Sequence, residues 1–330
     1  MVKNIKSKLA RTEFNRNLEK LTEKTNSNHF TVVTFKKFHI VTVAKVMSTT
    51  LNTLADDNNL PCYDVNVSKD TLEIKTFTHH VGSKRRDGIT NHFKEDWKNQ
   101  LEGKSSKRDF IFLMRNPIDR FVTGFFEDNM VNLLNSFNHG DKSSTAWCRS
   151  FLELKKYKPE DIDLFLLAMN VDGISPWKHI ENFKTSLIYD MYKDLVESLI
   201  NSHFGNIHTN AFYSHHTRPY LLTYCKFLYN KQIDESKVKF LDIGKTDVIE
   251  YINETYASNL LNTKGNKRDN IMKDIITNGF KKHIITIINL LYVDIEVYSI
   301  LCKHAGYEHE VDNLIGFSLN KWYENHEGLI

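Results

Sequence analysis

Phe110-Ile111-Phe112-Leu113-Met114-Arg115-Asn116-Pro117-Ile118-Asp119-Arg120-Phe121-Val122-Thr123 carries the fold and the chemistry together. The apolar run ending at Met114 reads as a buried strand. Pro117 fits the first turn of a helix, where its missing N–H costs nothing, and it pushes Asn116 out of helical geometry. The stretch is therefore strand, tight turn and helix start. A helix beginning there puts Arg120 and Thr123 three residues apart on one face, with Arg115 at the strand's carboxyl end. Two guanidinium groups, a hydroxyl and a helix N-terminus make a site for an anion, a phosphate above all.

A lone arginine pair beside a turn is ordinarily a pair of surface charges, so a second segment of the same character decides the matter. Phe38-His39-Ile40-Val41-Thr42-Val43 is β-branched and apolar, and Ala44-Lys45-Val46-Met47-Ser48-Thr49-Thr50 leads from it into the helical spacing Leu51, Leu54, Ala55. Ser48, Thr49 and Thr50 are N-cap types whose N–H and hydroxyl groups can face an anion, with Lys45 as a point charge. Two strand-to-helix anion sites in one chain call for a ligand with two phosphates.

On these residues the chain resembles the sulfotransferase superfamily, which uses 3′-phosphoadenosine 5′-phosphosulfate (PAPS). Lys45-Val46-Met47-Ser48-Thr49-Thr50 resembles the family's 5′-phosphosulfate loop, although Met47 stands where the family has glycine and is expected to be held to ordinary backbone geometry. Arg115 to Thr123 is similar to the 3′-phosphate motif Arg-x-Pro-x-x-Arg-x-x-Ser, with threonine in place of serine and the hydroxyl kept. His216-Thr217-Arg218-Pro219, the segment Val238 to Ile243 with Gly244-Lys245-Thr246-Asp247, and Tyr292-Val293-Asp294 with Tyr298 resemble parts of carbohydrate-type members. The resemblance covers roughly residues 30–305. It implies a P-loop-kinase-like fold and a PAPS-dependent O-sulfotransferase whose acceptor is a hydroxyl, favoured to be on a glycan. It assigns Lys45, Val46, Met47, Ser48, Thr49, Thr50, Arg115 and Thr123 to the donor, with Lys45 also at the phosphosulfate bridge. Arg120 is open between the phosphate and a tie to a neighbouring carboxylate.

Thr76-Phe77-Thr78-His79-His80 reads as the end of a second central strand near the edge that carries Lys45. A histidine titrates near ~6.5 and can take a hydroxyl proton at neutral pH. The resemblance to uronyl 2-O-sulfotransferases favours His80 as general base, with His79 second; Glu73 and Glu95 remain open. Strand alternation turns only one of the two histidines toward a cleft. His216 and Pro219 are candidates for the cleft wall, with packing an equal reading. Trp97, Trp147, Trp177 and Trp322 are candidates to stack on a sugar or adenine, with core packing the preferred assignment for each.

Composition bounds the rest. The chain has 330 residues, 41% of them hydrophobic and 12% aromatic, which suffices for one elaborated globular domain. That domain is expected over 30–305, with 1–29 an N-terminal extension and 306–330 a tail packed on it. A net charge of +3 argues against a general nucleic-acid binder. Lys84-Arg85-Arg86 and Lys104 to Arg108 are basic stretches read as solvated loops, with contact to an anionic acceptor or the nucleotide the lesser alternative. Met1 to Lys8 is basic without an apolar stretch behind it, and nowhere are there about 18 uninterrupted apolar residues. No signal peptide or membrane span is expected, which points to a cytoplasmic enzyme or one trimmed of an anchor. Cys62, Cys148, Cys225 and Cys302 lack metal spacing and read as reduced buried thiols, and His215-His216 has no chelating partner, so no metal is expected.

Strands interleaved with helices favour an α/β fold with a central, mainly parallel sheet flanked by helices and a helix-rich C-terminal half. Tyr63–Val67 and Leu72–Phe77 alternate as paired strands, Ser186–Tyr189 is a possible strand, Ile162–Met169 is helical, and residues 268–304 read as long helices. Two other classes compete: a P-loop-type kinase using ATP, against which stands the missing Gly-x-x-x-x-Gly-Lys-Ser/Thr loop, and a noncatalytic nucleotide-binding module of the same fold.

Overall fold

The computed structural model describes residues 28–58, 60–67, 74–77, 87–126, 128, 142–169, 187–205, 217, 219–221, 224, 234–256, 260, 279–280 and 282–307. The chain divides into two units. The first comprises Met1–Arg120, Arg218–Gly265 and Ile288–Val311, and the second Phe121–Thr217, Asn266–Ile287 and Asp312–Ile330.

The first unit is built on a six-stranded sheet: β1 (Asn28–Thr34), β2 (Phe38–Thr42), β3 (Cys62–Val67), β4 (Ile74–Phe77), β5 (Asp109–Met114) and β6 (Val238–Asp242), in the order β4-β3-β1-β2-β5-β6. Every residue of β2 and every residue of β5 after Asp109 is buried, the pattern of strands covered on both faces. These two strands pair in parallel, Phe38 opposite Asp109 and Val41 opposite Phe112, and β6 extends β5 in parallel.

The other half of the sheet corrects the expectation of a mainly parallel arrangement. β1 runs antiparallel to both β2 and β3, and β3 antiparallel to β4. Only three residues, Phe35-Lys36-Lys37, join β1 to β2, and the turn closes with the Phe35 N–H on the Phe38 carbonyl at 2.8 Å. So short a link permits only antiparallel pairing; a parallel neighbour needs a crossover of a dozen or more residues. The paired strands expected around Ser68-Lys69-Asp70 are present as β3 and β4.

Helices fill the crossovers. In α1 (Ser48–Asp57), Leu51, Leu54 and Ala55 are buried at helical spacing. Helix α2 (Asp87–Leu101) contributes Phe93 and Trp97 to an aromatic core with Phe110 and Phe112 of β5 and Phe240 of β6. The Phe112 and Phe240 rings stack at 5.4 Å and the Phe93 and Trp97 rings meet at 5.3 Å. Each such buried ring contributes about 1.5–3 kcal/mol by removal from water.

Helix α3 (Pro117–Phe126) starts where the sequence places it. The Asn116 side-chain oxygen accepts the N–H groups of Ile118 at 3.0 Å and Asp119 at 3.4 Å, so Asn116 is its N-cap and Pro117 its first residue. The second unit holds α4 (Lys142–Leu154), α5 (Pro159–Met169) and α6 (Leu187–Gly205). The strand expected at Ser186–Tyr189 is the first turn of α6, apart from Ser186, which lies outside the described residues. Ile188, Met191, Tyr192, Leu195 and Val196 are buried along one helical face, and that burial overrides the local β preference of Leu-Ile-Tyr. Helix α7 (Val248–Tyr256) follows β6. Helix α8 (Ile284–His304) accounts for the later part of the expected helical stretch 268–304; most of the remainder falls outside the described residues.

At the amino ends of the parallel strands lies a buried polar node. His39 is fully buried, with Nδ1 3.0 Å from the Thr34 hydroxyl and Nε2 3.1 Å from the Asp96 carboxylate. Asp96 also accepts from Arg108 Nη1 at 3.0 Å and the Lys107 N–H at 2.9 Å. Arg108, expected in a solvated basic loop, is instead half-buried and pinned to this node, because a buried carboxylate needs such partners.

Candidate active site

The site residues of the first unit gather at the opposite end, where β2, β5 and β6 reach their carboxyl termini. Past Thr42 the chain turns, with the Val46 N–H on the Val43 carbonyl at 3.1 Å and the Thr42 hydroxyl on the Val46 carbonyl. Lys45 (φ 65) and Met47 (φ 63) are both left-handed, while Val46 between them is not. Met47 therefore corrects the expectation of ordinary backbone: it takes the conformation a glycine would take, at a local cost of about 1–2 kcal/mol.

Met47 is also the N-cap of α1, with no side-chain cap bond. Ser48, Thr49 and Thr50, expected as caps, are instead the first three helical residues. Their N–H groups are those that an α-helix leaves without intrahelical partners. Ser48 is buried, Thr50 half-buried and Thr49 exposed; Val46 is fully buried, and its N–H and carbonyl are both engaged within the turn.

The two motifs are bonded to each other. Arg115 Nη1 donates to the Lys45 carbonyl at 3.0 Å, and Arg120 Nε donates to the Ala44 carbonyl at 3.0 Å. Arg120 is buried, with its guanidinium carbon 4.5 Å from the centre of the Tyr220 ring. Between the two roles left open for Arg120, the geometry gives it a structural tie, to a backbone carbonyl and an aromatic face. Burial lowers the Arg115 pKa from the usual guanidinium range, and the carboxylates of Asp119 and Asp242 work the other way. A guanidinium remains charged at neutral pH regardless. Thr123 lies buried one turn beyond Arg120 on α3.

Three residues that sequence reasoning did not assign to the site support it. The Tyr220 hydroxyl accepts the Arg115 N–H at 3.0 Å and donates to the Arg115 carbonyl at 3.3 Å. Asp294, on the helix whose Tyr292 to Tyr298 stretch the sequence marked, is buried and accepts the N–H groups of Tyr220 (2.9 Å) and Leu221 (2.9 Å). Asp242 ends β6, also buried, and accepts the Gly244 N–H at 2.7 Å and the Tyr298 hydroxyl. Burial holds the Asp242 carboxyl above its ordinary range, partly offset by those two hydrogen bonds. A Cβ at Gly244 would sit 3.2 Å from the Asp242 carboxylate, so glycine keeps this turn close.

The histidine candidates His79 and His80, with Glu73, His216, Trp177, Trp322, Cys225 and the stretch 84–86, lie outside the described residues. The strand leading to His79 and His80 is nevertheless placed differently from the expectation. β4 is the outermost strand, not a central one. Its last residue, Phe77, is level with Thr42 through Asp64 and Thr31, three strands or roughly 14 Å across the sheet. Glu95 is exposed on α2 beside Asp96, which is anchored at the amino ends of the strands, so the fold does not bring it to the Lys45 loop.

Trp97 is buried in the core as assigned, whereas Trp147 is exposed and stacks on Phe151. Cys62, Cys148 and Cys302 are free and buried, and burial pushes each of their thiols up to about 12. Among the described residues no group of three or more His, Cys, Asp or Glu could hold a metal ion, and no helix is long and apolar enough to cross a membrane.

The first unit is thus a mixed α/β unit in which two strand-to-helix motifs, at the carboxyl ends of adjacent parallel strands, are hydrogen-bonded to each other. The family model described as the sulfotransferase family matches residues 28–298, and the chain belongs to that family. Sulfuryl transfer is the chemistry this membership supports, to a hydroxyl-bearing acceptor and with the PAPS donor the family generally uses. No curated protein and no solved structure shows significant similarity to the chain.

Proposed function

We propose that the protein transfers the sulfuryl group of PAPS to a hydroxyl of a carbohydrate acceptor, with a histidine as general base. The observation that carries this reading is the pair of hydrogen bonds from Arg115 and Arg120 to the Lys45 and Ala44 carbonyls, which makes one rigid assembly of two anion motifs. The donor set suits such a ligand: a lysine, a guanidinium, hydroxyls and the N–H groups of a helix start, all favouring negative charge.

When bound, PAPS supplies an activated sulfuryl group on a phosphate leaving group. Ser48, Thr49 and Thr50, with the backbone of Met47, hold the 5′-phosphate, while Val46 anchors the loop in the core, and Arg115 and Thr123 hold the 3′-phosphate. Lys45 offsets the negative charge that grows on the departing phosphate oxygen as its bond to sulfur breaks. His80, or His79 in its place, takes the proton of the acceptor hydroxyl as that oxygen bonds to sulfur, a contribution of roughly 10²–10⁴ in rate. Positioning and electrostatics carry the rest, as in phosphoryl transfer.

The test is calorimetric titration with adenosine 3′,5′-bisphosphate, using ADP and ATP as controls. Tight binding that depends on the 3′-phosphate is expected; equal affinity for ATP would remove the reading. Turnover of radiolabelled PAPS with a panel of glycans then identifies the acceptor.

A further inference from the structure

Tyr220 touches both arginines of the second motif, each in a different way. Its hydroxyl bonds to the N–H and the carbonyl of Arg115, fixing the peptide planes from which that side chain departs. Its ring lies under the Arg120 guanidinium. The two arginines in turn hold the carbonyls of Lys45 and Ala44, so the left-handed loop is fastened through them. Tyr220 is itself seated from below, its N–H and that of Leu221 on the buried Asp294 carboxylate. Burial keeps the phenol protonated, which lets the hydroxyl donate as well as accept.

We infer that Tyr220, seated by Asp294, is the positioning residue that sets the protein's discrimination for a ligand with a 3′-phosphate. This rests on the PAPS reading of the site. The hydroxyl fixes the Arg115 backbone, and Arg115 is the group assigned to the 3′-phosphate. Loss of the hydroxyl therefore acts chiefly on that end of the ligand, because the loop keeps its second tie, from Arg120 to the Ala44 carbonyl, and the first-turn N–H groups of α1 belong to the helix itself and continue to take the 5′-phosphate. The ring does a second task, since a guanidinium buried on an aromatic face loses its orientation when the face is removed.

The experiment compares equilibrium binding of adenosine 3′,5′-bisphosphate and of AMP to the full chain, as wild type, Tyr220→Phe and Tyr220→Leu, with thermal unfolding of each to establish that it folds. Tyr220→Phe is expected to lower the preference for the bisphosphate by roughly five- to tenfold, the fold-change of one hydrogen bond, with AMP affinity within about twofold of wild type. Tyr220→Leu, which also removes the ring, is expected to lower the preference several-fold more. Should either variant fail to fold, Asp294→Asn is measured in its place and is expected to show the same selective loss. Equal weakening of both ligands, or an unchanged preference, overturns the role of Tyr220. A wild type that does not prefer the bisphosphate over AMP overturns the reading of the site itself, and the two failures are distinct.

Discussion

At residue 47 a single pair of substitutions reads out the backbone of the loop between β2 and α1. Met47 has φ 63 and ψ 9, and its side chain packs partly against the core. Met47→Ala and Met47→Gly remove that packing equally, so the difference between them isolates the backbone. In left-handed geometry a Cβ costs about 1–2 kcal/mol. Glycine returns about 0.4–1 kcal/mol of this through its greater freedom in the unfolded chain. Met47→Gly should therefore be more stable than Met47→Ala by about 0.5–1 kcal/mol. At an ordinary right-handed helical position the order reverses, with alanine ahead by about 0.5–1 kcal/mol. Urea denaturation followed by circular dichroism measures it: with an m-value of about 2 kcal/mol/M, the glycine variant's midpoint lies roughly 0.25–0.5 M above the alanine variant's. An alanine variant as stable as the glycine one, or more so, would refute the left-handed assignment and the argument that methionine mimics the family's glycine.

Arg115→Ala should raise the dissociation constant for adenosine 3′,5′-bisphosphate about 30-fold or more, since it removes a charge-assisted anion contact and frees the Lys45 carbonyl; calorimetry that finds less than threefold change contradicts this. His80→Ala should leave that binding within twofold and lower turnover by roughly 10²–10⁴; normal turnover by this variant with a dead His79→Ala would move the base by one residue and keep the reaction. Burial holds His39 below its ordinary value near 6.5, so as pH falls the unfolded chain takes up that proton first. Its contribution to stability is complete above about 6.5 and declines below it, so wild type should lose more of its urea midpoint between pH 7.5 and 5.5 than His39→Gln does. Parallel pH profiles for the two would count against a buried, neutral His39.

Local signals accounted for much of this architecture. Pro117 after an apolar run marked the β5 to α3 turn, and the Leu51, Leu54, Ala55 spacing marked α1, because both depend on neighbours within one helical turn. Strand β1 went unread although Thr31-Val32-Val33-Thr34 is β-branched, since the Phe35-Lys36-Lys37 link that makes it half of a hairpin has no glycine or asparagine to announce a turn. That omission is also what made the sheet look mainly parallel. The supports of the site were out of reach for a different reason. Tyr220 meets Arg115, and Asp294 meets Tyr220, across 105 and 74 residues of sequence, a separation that no window of periodicity spans. A buried aspartate on an apolar helix, as Asp294 is on α8, is the signal that was available, because such a carboxylate needs donors.

The seat of Tyr220 on Asp294 has a consequence for how the protein is made. Both anion motifs leave the ribosome in the first half of synthesis, yet the carboxylate that holds Tyr220 is translated long after them. A nascent chain thus carries both motifs before it carries the carboxylate that seats the tyrosine bonded to the second of them. The bonds that seat Tyr220 against the second motif are thus completed late, when the segment carrying Asp294 has been made and α8 has packed in place.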